Sequence, residues 1–258
     1  ASDARRQRAR AVVEDWQTSL GDRTQHILSA YGIALTDLRG LVTEIDTAGL
    51  RLSDPAFAVP DEATAAGRQA RVADAIDDLL RDAAESCSDH EDKVMVALRS
   101  GLPALADLLR DGDEDALLAE YATLVKGSHP AFKLGGGGSQ KNWTGGSPKE
   151  WRDRAKAFEP DVLACLMAPA DRAVRTALAR AWLLLHQARD ERARAGVLEF
   201  DDLLSMARDL LRDQPDVRRQ VHDAFRVVLV DEFQDTDPVQ WELIRLITAD
   251  PADAAGEP

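Results

Sequence analysis

The residues best suited to chemistry lie between Val227 and Asp235, where four apolar residues run directly into acidic and amide side chains. Asp231 offers the oxygen ligands that Mg²⁺ prefers, and such an ion neutralises charge on nucleotide phosphates. Glu232 is suited to orienting and deprotonating an attacking water molecule. Gln234 carries an amide that both donates and accepts hydrogen bonds, as sensing a γ-phosphate or that water requires. The segment therefore predicts hydrolysis of a nucleoside triphosphate.

These side chains need a rigid support, and the run Val227–Val230 predicts one. Apolar and β-branched residues without alternation are typical of a strand buried on both faces, as in a parallel sheet under helices. A strand that ends in Asp-Glu is the Walker B pattern, although so short a match is more often just the end of a strand. Asp237 and Pro238 then predict the N-cap and first turn of a final helix.

A longer string adds specificity to this pattern. VDEFQDTDPVQWELI, residues 230–244, closely resembles the second helicase motif of superfamily 1 DNA helicases of the UvrD/Rep type, and in particular of RecB-like helicase-nuclease subunits. LEFDDLL, residues 198–204, resembles an element that this family places shortly before that motif. The two elements occur in the family's order, and the resemblance covers residues 198–247.

The resemblance implies a role for each polar residue of the motif. Asp231 is expected to bind Mg²⁺, Glu232 to be the catalytic base, and Gln234 to sense the nucleotide state. Asp235 is expected to support the same nucleotide-binding loop. The implied cofactors are ATP and Mg²⁺, in the complete motor only. The implied partners are DNA, the remainder of the helicase motor and other subunits of a helicase-nuclease that acts in double-strand-break repair and recombination.

The loop that binds the triphosphate is not found in this sequence. No G-x-x-x-x-G-K-[ST] string occurs, and the later helicase motifs are not found either. We therefore expect the rest of the motor to lie outside these 258 residues, and the chain alone not to hydrolyse ATP. Because a lone strand cannot satisfy its backbone, Val227–Val230 is expected to pair with strands from elsewhere.

Most of the remaining sequence is patterned for helices. Aromatic residues make up only 5% of the chain, while Ala, Leu, Arg, Asp and Glu dominate it. Apolar residues recur at helical spacing in residues 3–20, 36–50, 63–85, 93–110, 114–124, 161–196 with a break near Pro169, 200–213 and 215–225. The predicted fold is mostly α: a helical inserted subdomain over residues 1–195, then part of a P-loop NTPase (RecA-like α/β) motor domain over residues 196–258, which carries the Walker B strand.

One segment differs from the rest in charge and composition. The net charge of −14 argues against a protein that coats nucleic acid over its whole surface. Residues 126–156, by contrast, hold seven basic and two acidic side chains, or +5, which leaves −19 for the rest of the chain. Their seven glycines and lack of periodicity predict a loop. Gly135–Ser139 also has the composition of engineered flexible linkers, and this origin stays open.

This basic loop has two interpretations. In the first it binds DNA, with cations on phosphates and aromatic rings stacked on bases. The candidate contacts are Lys141, Trp143, Lys149, Trp151, Arg152 and Arg154. In the second it is a solvated loop whose two tryptophans anchor it on the helices. The sequence favours neither.

Cysteine usage and hydropathy bear on location. Cys87 and Cys165 are too few for a disulfide framework, which favours a reducing compartment. No apolar run reaches membrane-spanning length, so no membrane partner is expected. The expected location is the cytoplasm, in association with the nucleoid. The alternative function is that of a non-catalytic helical module, which binds DNA or protein and retains a Walker B-like motif without turnover.

Overall fold

The computed structural model describes residues 16, 18–34, 38, 52, 53, 55, 57–59, 61–125, 127–225, 227–231 and 236–249. Ten α-helices have their bounds within these residues: α1 (Asp22–Ala30), α2 (Glu62–Ser86), α3 (Lys93–Asp111), α4 (Glu114–Tyr121), α5 (Pro148–Lys156), α6 (Glu159–Leu166), α7 (Ala168–Arg194), α8 (Phe200–Asp213), α9 (Pro215–Ala224) and α10 (Pro238–Thr248). Two 3₁₀ turns, Pro130–Phe132 and Gln140–Asn142, lie between α4 and α5. No strand is formed in the described residues, so the mostly α prediction is confirmed.

The helices confirm most of the predicted segments. Helices α2, α3, α8 and α9 match their expected ranges, and the break expected near Pro169 separates α6 from α7. Helix α4 ends earlier than expected, at Tyr121. The expected helices over residues 3–20 and 36–50 lie mostly outside the described residues. None of the helices in the described ranges is long and apolar enough to cross a membrane.

Contacts divide the chain into two units. Unit 1 takes residues 1–20, 35–58 and 177–258, as far as they are described, and unit 2 takes residues 21–34 and 59–176. The division falls inside α7, which therefore contributes residues to both units. The boundary expected between residues 195 and 196 was inferred from the position of the acidic motif, not from contacts. It stays a prediction.

The core of unit 2 is built on α2 and α3, which pack against each other. On α3 the buried side chains are spaced by one, three or four residues in the pattern of an amphipathic helix, which places them on one face. They are Val94, Met95, Leu98, Leu102, Leu105, Ala106 and Leu109. Each large apolar side chain buried in this way contributes about 1.5–3 kcal/mol. Helices α5 and α6 complete the core with Trp151, Val162 and Leu166.

A buried carboxylate joins the start of α3 to the glycine-rich segment. Asp92 is only 4% exposed. Its Oδ1 accepts a hydrogen bond from Val94 N at 3.0 Å, and its Oδ2 accepts from Ser139 N at 2.8 Å and from Asn142 Nδ2 at 3.0 Å. Burial alone would raise the pKa of Asp92, but these hydrogen bonds outweigh it and hold the pKa below its ordinary 3.8. One side chain therefore caps a helix and fixes a loop.

Close packing against Asp92 requires glycine at position 138. Gly138 has φ +89°, and a Cβ there would lie 2.9 Å from both Asp92 Oδ1 and Val94 Cγ2. A side chain is thus excluded both by the backbone conformation and by the space available. The segment has the composition of a flexible linker, but this fit favours a loop that belongs to the fold.

The prediction of a loop throughout residues 126–156 is wrong for residues 148–156, which form α5. Ser147 caps this helix by accepting a hydrogen bond from Glu150 N, while Glu150 Oε2 accepts one from Ser147 N. Pro148 occupies the first turn, where its missing N–H costs nothing. The sequence contains the Ser-x-x-Glu spacing of this capping box, which indicates a helix start. The loop prediction was wrong because it relied on the number of glycines in the segment.

We predict that Asp92→Asn lowers the free energy of unfolding by about 2–3 kcal/mol. The amide keeps the shape of the side chain but turns an NH₂ group toward backbone N–H donors, so at least one buried donor loses its acceptor. Urea unfolding followed by circular dichroism measures the difference. Asp82→Asn, at an exposed carboxylate of α2, is the control and should change the free energy by less than about 0.5 kcal/mol.

The same variant has a pH signature. Because the folded pKa of Asp92 is lowered, its contribution is fully present above pH 3.8 and is lost as the pH falls through the folded pKa. The stability gap between the wild type and Asp92→Asn should therefore narrow below pH 3.8. A gap that is independent of pH, or no larger than that of the control, would contradict the role given to this carboxylate.

Candidate functional site

Helix α8 opens with the FDDLL string and turns a polar face inward. Asp202, Ser205, Arg208 and Leu211 are spaced three residues apart, so they are distributed over one half of the helix surface, and all four are buried. The sequence predicts this helix correctly as amphipathic. The inner side, however, is polar for three of these four positions.

The second Asp of the FDDLL string has two structural tasks. Asp202 Oδ2 accepts a hydrogen bond from Glu199 N at 3.1 Å, as part of the capping box that begins α8. It also accepts one from Arg192 Nε of α7 at 2.8 Å. Asp202 therefore fixes both the start of α8 and its attachment to α7. The sequence does not predict this ion pair, because the partner on α7 carries no local signal.

Further ion pairs connect α8 to α10, the helix that follows the acidic motif. Arg208 is almost fully buried, with its Nη2 2.8 Å from Asp209 Oδ1 and its Nε 3.7 Å from Glu242 Oε2. Arg212 Nη1 lies 3.3 Å from Glu242 Oε1. Buried charges are tolerated only when they are paired, so this network specifies how the two helices dock.

The outer face of α8 is apolar and exposed. Phe200, Leu203, Met206 and Leu210 are between 40% and 68% exposed. Contiguous exposed apolar side chains of this kind mark interaction surfaces. The amphipathic pattern predicted the helix correctly. Its apolar face, however, is not buried by the described residues of unit 1.

The strand predicted over Val227–Val230 is not formed in this chain. Residues 227–230 have no regular secondary structure, and Leu229 is 91% exposed. The physical reason is that the described residues contain no strand to exchange backbone hydrogen bonds with this segment. The expectation that strands from elsewhere pair with it stays a prediction.

Asp231 lies directly after this segment and is exposed. Mg²⁺ at nucleotides is held by one or two carboxylates, together with phosphate oxygens and water, so a single exposed Asp fits such an ion as its protein ligand. The part of the chain that is described contains no cluster of three or more His, Cys, Asp or Glu side chains suited to a metal ion. Glu232, Gln234 and Asp235 lie outside the described residues, and their roles stay predictions.

After the motif, the chain re-enters a well-defined helix. Asp237 Oδ1 accepts a hydrogen bond from Gln240 N at 2.8 Å, and Gln240 Oε1 accepts one from Asp237 N at 3.2 Å. Pro238 occupies the first turn of α10, as expected. The predicted N-cap is thereby confirmed, and it anchors the carboxyl-terminal end of the acidic motif.

The two tryptophans of the basic segment are buried in unit 2. Trp143 is 5% and Trp151 2% exposed, and their ring centroids are 5.6 Å apart. Backbone hydrogen bonds from Ser88 N to Asn142 O and from Thr144 N to Ser86 O tie the chain around Trp143 to the end of α2. The expectation that these two rings stack on bases is therefore wrong for this structure, since neither ring face is accessible. They anchor the segment on the helices, as the second interpretation expected.

Three of the candidate DNA-binding cations of this segment face solvent. Lys141, Lys149 and Arg154 are exposed, and the Arg154 guanidinium lies 4.6 Å from the centroid of the Trp151 ring. Arg152 is half-buried, and its Nη1 donates a hydrogen bond to Gly137 O at 2.6 Å. The surface thus offers positive charges without exposed tryptophan rings, and a DNA-binding role for these cations stays a prediction.

Comparison with known proteins places similarity in the carboxyl-terminal part of the chain. Residues 144–255 match a family model described as the UvrD/REP helicase N-terminal domain. DNA helicase II of Escherichia coli is 39% identical over 70 residues, which are 27% of this chain and 10% of that protein. The RecBCD enzyme subunit RecB of Mycolicibacterium smegmatis is 51% identical over 53 residues, or 20% of this chain and 5% of that subunit.

A third relative, the ATP-dependent DNA helicase Rep of Escherichia coli, is 43% identical over 51 residues, or 20% of this chain and 8% of that helicase. The chain thus spans about a tenth or less of the length of these relatives. No solved structure gives a significant match. The resemblance to UvrD/Rep-type helicases is confirmed for the region from α5 to α10.

We predict that Trp151→Ala lowers the free energy of unfolding by about 3–5 kcal/mol, because it removes a fully buried ring from the core of unit 2. Chemical unfolding followed by circular dichroism measures the loss. Lys149→Ala, at an exposed position of the same helix, should stay within about 0.5 kcal/mol of the wild type. Equal stabilities for the two variants would contradict the anchoring role.

Proposed function

We propose that this chain is part of an ATP-dependent DNA helicase of the UvrD/Rep type, which couples ATP hydrolysis to translocation on DNA and to its unwinding. The observation that carries the proposal is the string at residues 230–244, which lies inside the family match over residues 144–255. An acidic motif, the capped helix after it and the FDDLL element before it are far more specific together than an Asp-Glu pair.

In the proposed reaction, the chain contributes the acidic side of the nucleotide site. Asp231 would hold a Mg²⁺ ion, whose contribution would be to neutralise charge on the phosphates of ATP. Glu232 accepts the proton of the attacking water, and Gln234 contacts that water or the γ-phosphate. Asp235 supports the loop. The triphosphate-binding loop has no counterpart in this sequence, so the proposal requires it from outside residues 1–258.

The helices around the motif support a coupling role. α10 begins at Pro238, with Asp237 as its N-cap, and its Glu242 pairs with Arg208 and Arg212 of α8. A change in the loop on hydrolysis would therefore act on a helix that is held to α8 by ion pairs, one of them to the buried Arg208. Such ion pairs have discrete arrangements, which suits a switch between nucleotide states.

The exposed apolar surfaces of unit 1 support the same proposal. Val227–Val230 and the outer face of α8 would be covered by the remainder of a RecA-like motor domain, which would also provide neighbouring strands. The exposure of these residues then has a simple physical cause. Their partners are other parts of the motor.

We further propose that DNA contacts the exposed cations of residues 126–156, through Lys141, Lys149 and Arg154 with a smaller contribution from Arg152. Contacts from such side chains to phosphates are independent of base sequence. The short but 51% identical match to a RecB subunit favours a helicase-nuclease with further subunits, acting on broken DNA in the cytoplasm at the nucleoid.

The DNA contact is tested by reversing Lys141, Lys149 and Arg154 to Glu. We expect weaker binding to a DNA duplex, with the slope of log affinity against log salt reduced by about one for each phosphate that the protein no longer neutralises. Fluorescence anisotropy over a salt series measures both quantities. The matched control reverses Arg99, Arg180 and Arg219, which are exposed cations outside the segment. Equal reduction of affinity in the two variants would indicate an effect of net charge alone and contradict a local surface.

The catalytic assignment is tested in a protein that joins this chain to the remainder of its motor. Glu232→Gln should lower the DNA-stimulated rate of ATP hydrolysis by about 10²–10⁴-fold while ATP still binds, because the amide cannot accept the proton. Glu191→Gln, at an exposed position of α7, is the control and should leave the rate unchanged. Indifference of the rate to Glu232→Gln would remove this residue from the chemistry. Absence of a triphosphate-binding loop from the whole gene would favour the non-catalytic module.

A further inference from the structure

Unit 2 contains a half-open hollow of about 570 Å³ that none of the roles above uses. Its walls come from α2, from the end of α6 and from the first two turns of α7. All of the residues that line it belong to unit 2. The volume lies in the range of small-molecule binding sites, which is roughly 300–1,000 Å³.

Most of the wall of this hollow is apolar and is formed by short side chains. The residues that create the space are Ala65, Ala164, Ala168, Ala170 and Val174. Burial raises the pKa of the Cys165 thiol to about 11, so this part of the wall is also uncharged at neutral pH. The apolar body of a ligand can therefore fill the hollow and remove its own surface from water.

One polar side chain in the wall lacks a hydrogen-bond partner. Gln69 of α2 is only 8% exposed, and its side-chain amide makes no hydrogen bond with any residue that the structure describes. Gly112 gives the amide room, since a Cβ there would lie 3.2 Å from Gln69 Oε1. A buried amide is ordinarily paired, because leaving it unpaired costs stability. Gln69 thus keeps a donor and an acceptor unused at the wall of the hollow.

The charged groups of the lining do not require a ligand. Arg175 Nε donates a hydrogen bond to Asp171 Oδ2 at 2.8 Å. Arg172 also has partners, and its Nη2 lies 3.9 Å from Glu114 Oε1. Arg68 is exposed, so water solvates its guanidinium group. The hollow therefore offers a ligand an apolar wall and one neutral amide.

We propose that this hollow binds a small neutral molecule with an apolar body and a lactam-type edge, in which an N–H lies next to a carbonyl. The apolar body packs on the alanine-lined wall. The N–H of the ligand donates to Gln69 Oε1, and its carbonyl accepts from Gln69 Nε2. A molecule without such an edge would cover the amide and leave it unpaired, so it would bind more weakly.

The three methionines of the chain make a site-specific test possible. Met167 lines the hollow, Met206 lies on the exposed apolar face of α8, and Met95 is in the core of unit 2. The probe is 2-quinolinone, a neutral bicyclic lactam, titrated into the full chain labelled with ¹³C at the methionine methyl groups. We expect a saturable shift of the Met167 methyl resonance and none of the other two. N-methyl-2-quinolinone, which lacks the N–H donor, should require a concentration roughly three to ten times higher, as expected for the loss of one hydrogen bond.

The variant Gln69→Leu separates a ligand-binding role of the amide from a structural one. It should raise the midpoint of the Met167 titration with 2-quinolinone by roughly three- to tenfold. Without ligand, the same variant should unfold at a urea concentration higher by roughly 0.5 M, because an apolar side chain replaces an unpaired buried amide. Gln187→Leu, at an exposed amide of α7 outside the hollow, is the matched control and should titrate like the wild type.

Each contrary result would overturn the proposal. A less stable Gln69→Leu would mean that the amide serves the fold. Equal midpoints for 2-quinolinone and its N-methyl derivative would exclude recognition of the lactam edge, and tighter binding of the bicyclic anion 2-naphthoate would exclude a neutral ligand. An absent Met167 shift, with or without one of Met206, would exclude the hollow. The comparison of probes uses the wild type, so it is independent of how any variant folds, and neither ATP hydrolysis nor DNA binding enters the measurement.

Discussion

The carboxylate of Asp92 has to be satisfied inside unit 2, and its donors come from the start of α3 and from the glycine-rich segment. An unpaired buried charge would be too costly, so Ser139 N and Asn142 Nδ2 must stay in place. The next residue, Trp143, is then held in the core, and the chain continues into α5 through the capping box at Ser147. The positions of the outward-facing cations therefore depend on the Asp92 hydrogen bonds, on the burial of Trp143 and on the capping box at Ser147.

Burial of the rings changes the kind of DNA contact that the basic segment can make. Rings that stack on bases need accessible faces, whereas cations need only reach the phosphates. In this structure the cations can reach phosphates, whereas the buried rings have no accessible face for bases. The Arg154 guanidinium lies over the Trp151 ring. This buried ring therefore packs in the core and also supports a cation at the surface.

The sequence predicts those features that have local causes. α2 and α3 follow from helical periodicity with a capping Asp before each, and α10 follows from Asp237 and Pro238. The start of α5 was also locally encoded, but the surrounding glycines hid it. The depth of Trp143 and Trp151 could not be read from the sequence, because burial depends on which helices lie nearby. The same holds for Val227–Val230, whose β propensity cannot form a strand without neighbours. At the acidic motif, residue types alone indicate the chemistry. The ion pair between Asp202 and Arg192, by contrast, could be identified only from the structure.

The two indoles of unit 2 have an optical consequence. Their centroids are 5.6 Å apart and their planes are tilted by 33°, which is close enough for the excited states to couple. Coupled indoles give a paired positive and negative band in the ultraviolet circular dichroism spectrum. The remaining tryptophans, Trp16, Trp182 and Trp241, belong to unit 1. This paired band therefore reports, without any added label, whether the segment between α4 and α5 is packed on the helices of unit 2.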